Sequence, residues 1–298
     1  MLDFEEKWQQ WHNPNGRIMT CGHRGDANIY YPENSLEGNL SIILAGVDMI
    51  EVDVWTTKDG QLIAMHDPTV TRTTNATELR SAGEDWLPES DEISQWTLEQ
   101  IRRLRLKTWR GVQTDYMVPT LRELIQVCKN RCFLTLDKIH GFRWEAVYEL
   151  IKELEAYRTV LIPYNYPLDR VYEIEKQVRR ETGYTLPFMT GAAHAGGIWS
   201  IPLLYEGSFR LKENGMAPVL RGGDHRKHEM DRLRPVMDDL KKDHRLWVYS
   251  GGLGKQEGLG TRELFDETLE DMLSMGYDFI MANKIYDLLD VVKQRHFL

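Results

Sequence analysis

The strongest constraint on the fold is a rhythm. Eight short apolar runs, at 18–23, 49–55, 132–137, 160–164, 186–190, 218–221, 246–250 and 278–282, each have the length of a single strand. Between most of them lie stretches with apolar residues at helical spacing. Leu36, Leu40, Ile43 and Leu44 make one such face, and Leu121, Leu124, Ile125 and Cys128 another. Segments 143–157, 169–182, 226–242, 262–275 and 284–295 read similarly. Thr97 with Gln100 and Thr120 with Glu123 are capping-box pairs that mark helix starts. Alternating strand and helix implies a parallel sheet. Eight such units predict an α/β chain closed into a (β/α)8 TIM barrel, although an open doubly wound sheet would alternate in the same way. At 298 residues the chain fits a single barrel domain over 1–298, since such barrels run to about 250 residues and beyond with insertions. The longest irregular stretch, a loop insertion at about 67–96, is rich in Thr, Ser, Asp and Glu. Loops of that length are usually functional or mobile.

One run falls outside the count of eight. The stretch 61–66 follows 49–55 after only Thr56-Thr57-Lys58-Asp59-Gly60. A parallel crossover needs about a dozen residues or more, so these two runs pair antiparallel, as an extra hairpin strand after the second barrel strand. Asp59-Gly60 is a two-residue hairpin turn signal. If those two residues form the turn, Lys58 faces Gln61 and the ladder brings His66 opposite Asp53, on the face that also carries Glu51.

Composition sets outer bounds. Apolar residues make up 42% and charged residues 28%, the balance of a globular protein. The formal charge of −9, from 37 basic and 46 acidic residues, argues against general affinity for nucleic acid or an anionic membrane. No apolar run approaches the ~20 residues that span a bilayer. The start MLDFEEKWQQWHNPNG has neither the basic nor the apolar region of a signal peptide. The expectation is a cytoplasmic protein, or a secreted or periplasmic one whose signal peptide has been removed. Cys21, Cys128 and Cys132 make no even disulfide framework and fit a reduced compartment.

In a barrel the chemistry gathers at the C-terminal ends of the strands. Glu51 and Asp53, two apart on a strand, share one face, while Ile50, Val52 and Val54 share the other. Two carboxylates on a buried face are costly unless they pair with Lys or Arg of adjacent strands or hold a cation. Asp137 ends the run FLTLD with the parity of Thr135 and completes an oxygen-rich set. Such a set suits a hard cation, one Mg²⁺ or Ca²⁺, with Mn²⁺ also compatible. His23 ends the first run and His66 the hairpin run. A lone histidine is more often structural, but two beside a carboxylate cluster have the acid–base capacity that displacement at phosphorus requires. Arg24 and Lys138 directly follow His23 and Asp137 and suit phosphate oxygens, Arg as a fork and Lys as a point charge.

CGHRGDANIYYPENSLEGN followed by GVDMIEVDVWTTKDGQLIAMHDPTVTRTT resembles the glycerophosphodiester phosphodiesterase family, in the PLC-like phosphodiesterase TIM-barrel superfamily. The linked elements HRG, PENS, IEVDV, KDG and HD occur in family order. The resemblance is dense over 21–74 and looser through WTLEQIRRL, VPTLREL and LTLDK. It implies a barrel, a divalent cation held by Glu51, Asp53 and Asp137, an acid–base pair His23 and His66, and phosphate contacts from Arg24 and Lys138. It places Glu33 of PENS in support of the site. Two positions depart from the family: Asp137 stands where Glu is usual, and MANKIYD, with Asn283 and Lys284, stands where a TD-P element is frequent.

Other residues carry weaker signals. His194, in TGAAHAGG, and Tyr249, ending LWVYS, stand where they can reach a substrate. GGLGKQEGLG at 251–260 lacks the spacing of a P-loop and reads as a loop over the site. Cys21 shares the parity of His23, but side chains two apart on a strand are about 7 Å apart, which makes it core rather than a nucleophile. Trp86, Trp96 and Trp109 fall in or near the long loop and suit packing beneath it, or an apolar lid. The expectation is a metal-dependent hydrolase of a small-molecule phosphodiester, releasing glycerol 3-phosphate and an alcohol. The alternatives are a lysophospholipase D-like enzyme or cyclising lyase acting on a lipid, and a catalytically silent phosphodiester-binding barrel.

Overall fold

Alternation along the strands sorts the side chains into two layers. Ile50, Val52 and Val54 are fully buried, as are Leu134 and Leu136. They pack outward against α2 (Leu36–Ala45) and α5 (Leu121–Cys128) through Ile42, Ile43, Leu121, Leu124, Ile125 and Cys128. In a computed structural model, the described residues are 3–13, 15–26, 30–163, 166, 168–187, 235, 238–242, 269–270, 272–274 and 276–294. The backbone alone is described at 189–191, 194–195, 198–199, 219–224, 246–249 and 295–296.

The barrel strands are parallel. β1 (Met19–His23) lies between β2 (Met49–Thr56) and β10 (Phe279–Ala282). Beyond β10 follow β9 (Leu246–Tyr249), β8 (Val219–Asp224) and β5 (Met189–Gly191). On the other side β2 pairs with β4 (Phe133–Asp137). The extended stretch 160–162 joins the two ends: Val160 bridges Leu134 in parallel, and Ile162 N–H donates to the Pro187 carbonyl. All eight apolar runs of the sequence are thereby joined in a (β/α)8 barrel. The residues between Gly191 and Val219 include β6 (His194–Ala195), paired antiparallel with β7 (Ile198–Trp199). Thr97 and Thr120 each close both reciprocal bonds of a capping box, at the starts of α4 (Leu98–Arg103) and α5. No helix among the described residues is long and apolar enough to cross a membrane.

Among the described residues the lower half of the barrel interior is apolar. Met19, Cys21, Met49, Phe133, Leu161, Phe279 and Met281 form one buried cluster with Phe4 and Trp11. The last two belong to α1 (Phe4–His12), a helix capped by Asp3 and Glu6. The sequence reading leaves this helix out because most of its residues are polar, although Phe4, Trp8 and Trp11 lie on one face. It seals the end of the barrel opposite the strand C-termini. Lys7, almost fully buried, anchors it by donating to the carbonyls of Val47 and Arg131 at 2.6 and 2.8 Å.

Two local features differ from the sequence reading. β2 pairs antiparallel with β3 (Leu62–Ala64), but Val54 faces Ala64, so Asp53 faces Met65 and not His66. The turn has three residues, Lys58, Asp59 and Gly60, with Gly60 at φ 78° in the left-handed region. Thr57 Oγ1 accepts from Gln61 N–H and donates to Asp59, which selects the longer loop and shifts the ladder by one residue. His66 lies beyond the strand. The stretch at about 67–96, expected as a loop, contains α3 (Ala76–Ser81) and a short 3-10 turn, Ile93–Gln95. With α4 and the segment to Val118 it buries Ile63, Met65, Val70, Ile93, Trp96, Ile101, Leu104 and Leu106 in a cluster of its own. Its helices are too short to show a period.

Candidate active site

Strand register sets the constellation. His23 pairs with Glu51 across β1 and β2, and Asp53 pairs with Asp137 across β2 and β4. Each of these residues has the inward parity of the apolar plug below it. Glu51, Asp53 and Asp137 each present an oxygen within 4.8 Å of the others. Glu51 and Asp53 are 1% exposed. Burial, and then the charges of Asp53 and Asp137, push the Glu51 carboxyl well above the usual range, and burial raises Asp53.

Backbone geometry at the strand ends turns donors toward this cluster. Arg24, Asn34 and Lys138 have φ of 57°, 59° and 61°, in the left-handed region that ordinary side chains rarely enter. Arg24 N–H donates to Glu51 Oε2 at 3.1 Å, and its Nε lies 3.3 Å from Asp53 Oδ2. Asn34 grips Asp53 at both ends, donating Nδ2–H to Oδ2 at 2.9 Å and accepting the Asp53 N–H at 3.1 Å. Lys138 N–H donates to Asp137 Oδ1 at 2.7 Å.

The two histidines are held by different partners. His23 Nδ1 meets Asn283 Oδ1 at 2.5 Å, so the ring carries its proton on Nδ1 and presents Nε2, 3.9 Å from Glu51 Oε2. Burial, and then the charge of Arg24, lower its pKa to about 4. His66 Nδ1 meets Asp67 Oδ1 at 2.6 Å. Asp67 stays ionised: burial pushes it up, but hydrogen bonds from Arg72 and His66 bring it to about 2. A carboxylate only accepts, so the His66 Nδ1–H donates and Nε2 is left for chemistry. Although it lies beyond the strand, His66 is near enough for its charge to lower Asp53. Glu33 is buried and ion-paired to Arg24 at 3.4 Å and to Arg72 at 2.5 Å. Burial raises its carboxyl, yet Arg72 and Arg24 hold it below the usual value.

Trp55 ties His66 to the barrel. Its indole N–H donates to the His66 carbonyl at 3.2 Å, and its ring lies against Gly141. A Cβ at Gly141 would sit 2.4 Å from the Val54 carbonyl and 2.8 Å from the indole. Gly141→Ala is therefore expected to cost about 1–3 kcal/mol by overpacking and to lower turnover by displacing His66. Denaturant unfolding and kinetics on the same sample measure both effects.

The network contains five carboxylates, Glu33, Glu51, Asp53, Asp67 and Asp137, against the two guanidinium groups of Arg24 and Arg72. Clustered oxygens, deep burial and an excess of negative charge fit a hard divalent cation. His23, Arg24, Glu33, Glu51, Asp53, His66 and Asp137 thus come together, and Lys138 joins through its backbone. The side chains of His194 and Tyr249 and the segment 251–260 lie outside the described residues. Asn34, Trp55, Asp67 and Arg72 have no role assigned from the sequence, and Asn283 stands out there only as a departure from the family. Asn34 in PENS and Asp67 in HD had a local signal, as parts of the linked motifs.

The barrel gathers the carboxylate cluster and His23 at the C-terminal ends of its strands, the face on which barrel enzymes carry their sites, with His66 on the chain just beyond β3. The model of the Glycerophosphoryl diester phosphodiesterase family matches residues 23–181, more than half of the chain. The chain belongs to that family. A Glycerophosphodiester phosphodiesterase of Caldanaerobacter subterraneus subsp. tengcongensis is 30% identical over 158 residues, 50% of this chain and 59% of the relative. Human Glycerophosphodiester phosphodiesterase 1 is 30% identical over 142 residues, 47% of this chain and 39% of the relative. The chain thus spans less than two thirds of the length of these relatives. A glycerophosphoryl diester phosphodiesterase structure from Parabacteroides distasonis superimposes with a TM-score of 0.73 at 21% identity, covering 99% of this chain and 93% of that one. An Oleispira antarctica phosphodiesterase in complex with the product sn-glycerol-3-phosphate aligns with a TM-score of 0.61 at 18% identity, covering 93% and 96%.

Proposed function

We propose that this chain is a phosphoric diester hydrolase that cleaves a glycerophosphodiester with water, releasing sn-glycerol 3-phosphate and an alcohol. Residues 1–298 act as one catalytic barrel domain, and the hairpin strand β3 is an addition to the barrel that carries the chain to His66. The observation that supports this reading most is the joint placement of Glu51, Asp53 and Asp137 with His23, His66 and Arg24.

Glu51, Asp53 and Asp137 would hold the cation, Mg²⁺ or Ca²⁺ with Mn²⁺ as a further candidate. When bound, it supplies Lewis acidity that offsets charge on the phosphoryl oxygens and acidifies a hydroxyl. Arg24 directs its guanidinium to the phosphate, and Lys138 adds an ammonium at the rim. Hydrolysis needs one proton taken from the attacking hydroxyl and one given to the leaving alkoxide. His23 and His66 perform these two transfers through Nε2, because Asn283 and Asp67 occupy both Nδ1 atoms. Glu33 keeps Arg24 and Arg72 in place.

Product analysis tests the reaction class and the leaving group. The protein is supplied with glycerophosphocholine, lysophosphatidylcholine and bis(p-nitrophenyl) phosphate, and the products are identified by phosphorus NMR. Glycerol 3-phosphate from glycerophosphocholine is expected. Cleavage of the lysophospholipid alone would move the assignment to a lipid-directed enzyme. A cyclic phosphate as final product would indicate a lyase, and binding without any product would indicate a silent barrel.

A further inference from the structure

We propose that Arg72, a residue of the segment after β3, is a positioning residue that serves both halves of the site at once. Its guanidinium is gripped on two edges. Nε and Nη2 donate to Asp67 Oδ2 and Oδ1 at 2.5 and 3.1 Å, while Nη1 and Nη2 donate to Glu33 Oε2 and Oε1 at 3.1 and 2.5 Å. One of those carboxylates holds the His66 ring and the other pairs with Arg24. Arg72 thus links the proton-transfer side of the site to its phosphate side.

The effect on each side follows from charge. On the first side Arg72 fixes the Asp67 carboxylate that sets the orientation of His66. On the other it shares the charge of Glu33, whose side chain is 5% exposed. Without Arg72 that buried carboxylate keeps Arg24 as its ion-pair partner and draws it away from Asp53 Oδ2, 3.3 Å distant. Loss of Arg72 therefore misplaces a proton carrier and withdraws a phosphate ligand together. Lysine cannot substitute, because a point charge does not bridge two carboxylates through four directed bonds.

This inference rests on the phosphodiesterase reading, and the test separates the two. Wild type, Arg72→Ala, Arg72→Lys, Asp67→Asn and the Arg72→Ala/Asp67→Asn double variant are assayed on glycerophosphocholine with Mg²⁺. Thermal melts report the folded fraction. Arg72→Ala is expected to lose about 100-fold in kcat/KM, the scale of a misplaced catalytic group, with kcat lowered and KM raised. Arg72→Lys should recover little. Added guanidinium should restore part of the activity of Arg72→Ala and none of Asp67→Asn. In the double variant kcat should fall no further than in the worse single variant, because Arg72 reaches His66 through Asp67.

Undiminished kcat and KM in Arg72→Ala, or a loss that follows only the folded fraction, overturns the role of Arg72 and leaves the phosphodiesterase reading standing. A wild type that cleaves no phosphodiester overturns that reading. The His66 Nδ1–H proton resonance then decides on Arg72 without turnover. It is expected downfield in wild type and displaced in Arg72→Ala, and an unmoved resonance contradicts the proposal.

Discussion

Glu51→Gln should abolish turnover without loosening the fold. Glu51 is deeply buried beside two other carboxylates, and burial followed by the charges of Asp53 and Asp137 pushes its carboxyl well up. Its ionised form is therefore a burden on the cation-free protein. Glutamine keeps the shape, and its carbonyl oxygen can still accept the Arg24 N–H now bonded to Glu51 Oε2. A weakened cation site removes several kcal/mol of transition-state stabilisation, which corresponds to a loss of about 1,000-fold or more. The melting temperature in a chelator should stay level or rise, as expected where a site is kept at the expense of stability. A variant that melts much lower would show that Glu51 is structural. A variant that keeps wild-type turnover would remove Glu51 from the cation site.

The second large effect concerns the histidines. His23→Ala and His66→Ala should each reduce kcat by about 100- to 10,000-fold, the usual contribution of one positioned acid or base. The losses should not add in the double variant, because neither proton transfer completes the reaction alone. Asn283→Ala provides a milder version: it removes the acceptor on His23 Nδ1 and frees the ring to turn. Steady-state kinetics of the four variants on one substrate measures these effects. Wild-type rates in either single histidine variant would remove that residue from the proton path.

The fold was legible because burial on both faces makes parallel strands read as apolar runs. All eight runs became barrel strands or, at 160–162, the bridging stretch between β4 and the approach to β5. Parity alone placed Glu51 and Asp53 inward, and strand ends placed His23 and Asp137. The hairpin register was one residue off, because the Thr57 and Asp59 side chains choose a three-residue turn that no dipeptide rule reveals. The ladder that would set His66 opposite Asp53 does not reach it, so of the two reasons for His66 only the HD element of the family resemblance remains. The chain beyond β3 leaves its backbone bonded to Trp55 and its ring to Asp67, near enough to Asp53 to act on its charge.

The roles of three residues stayed hidden for one reason. Asn34, Arg72 and Asn283 act through partners that are 19, 39 and 260 positions away in the chain. Sequence periodicity carries no record of such pairings. The internal core of the stretch after β3 was hidden for a related reason. Ile63, Val70, Trp96 and Leu106 come from separate short pieces that converge only in the folded chain.

In the proposed reaction Glu51, Asp53 and Asp137 hold a divalent cation that two histidines and Arg24 use to break a phosphodiester. Phosphorus NMR of glycerophosphocholine with the wild-type protein tests it most directly, first in excess EDTA and then after Mg²⁺, Ca²⁺ or Mn²⁺ is restored. No reaction is expected in the chelator, and a growing glycerol 3-phosphate signal is expected once the cation returns. Full turnover in the chelator would contradict it.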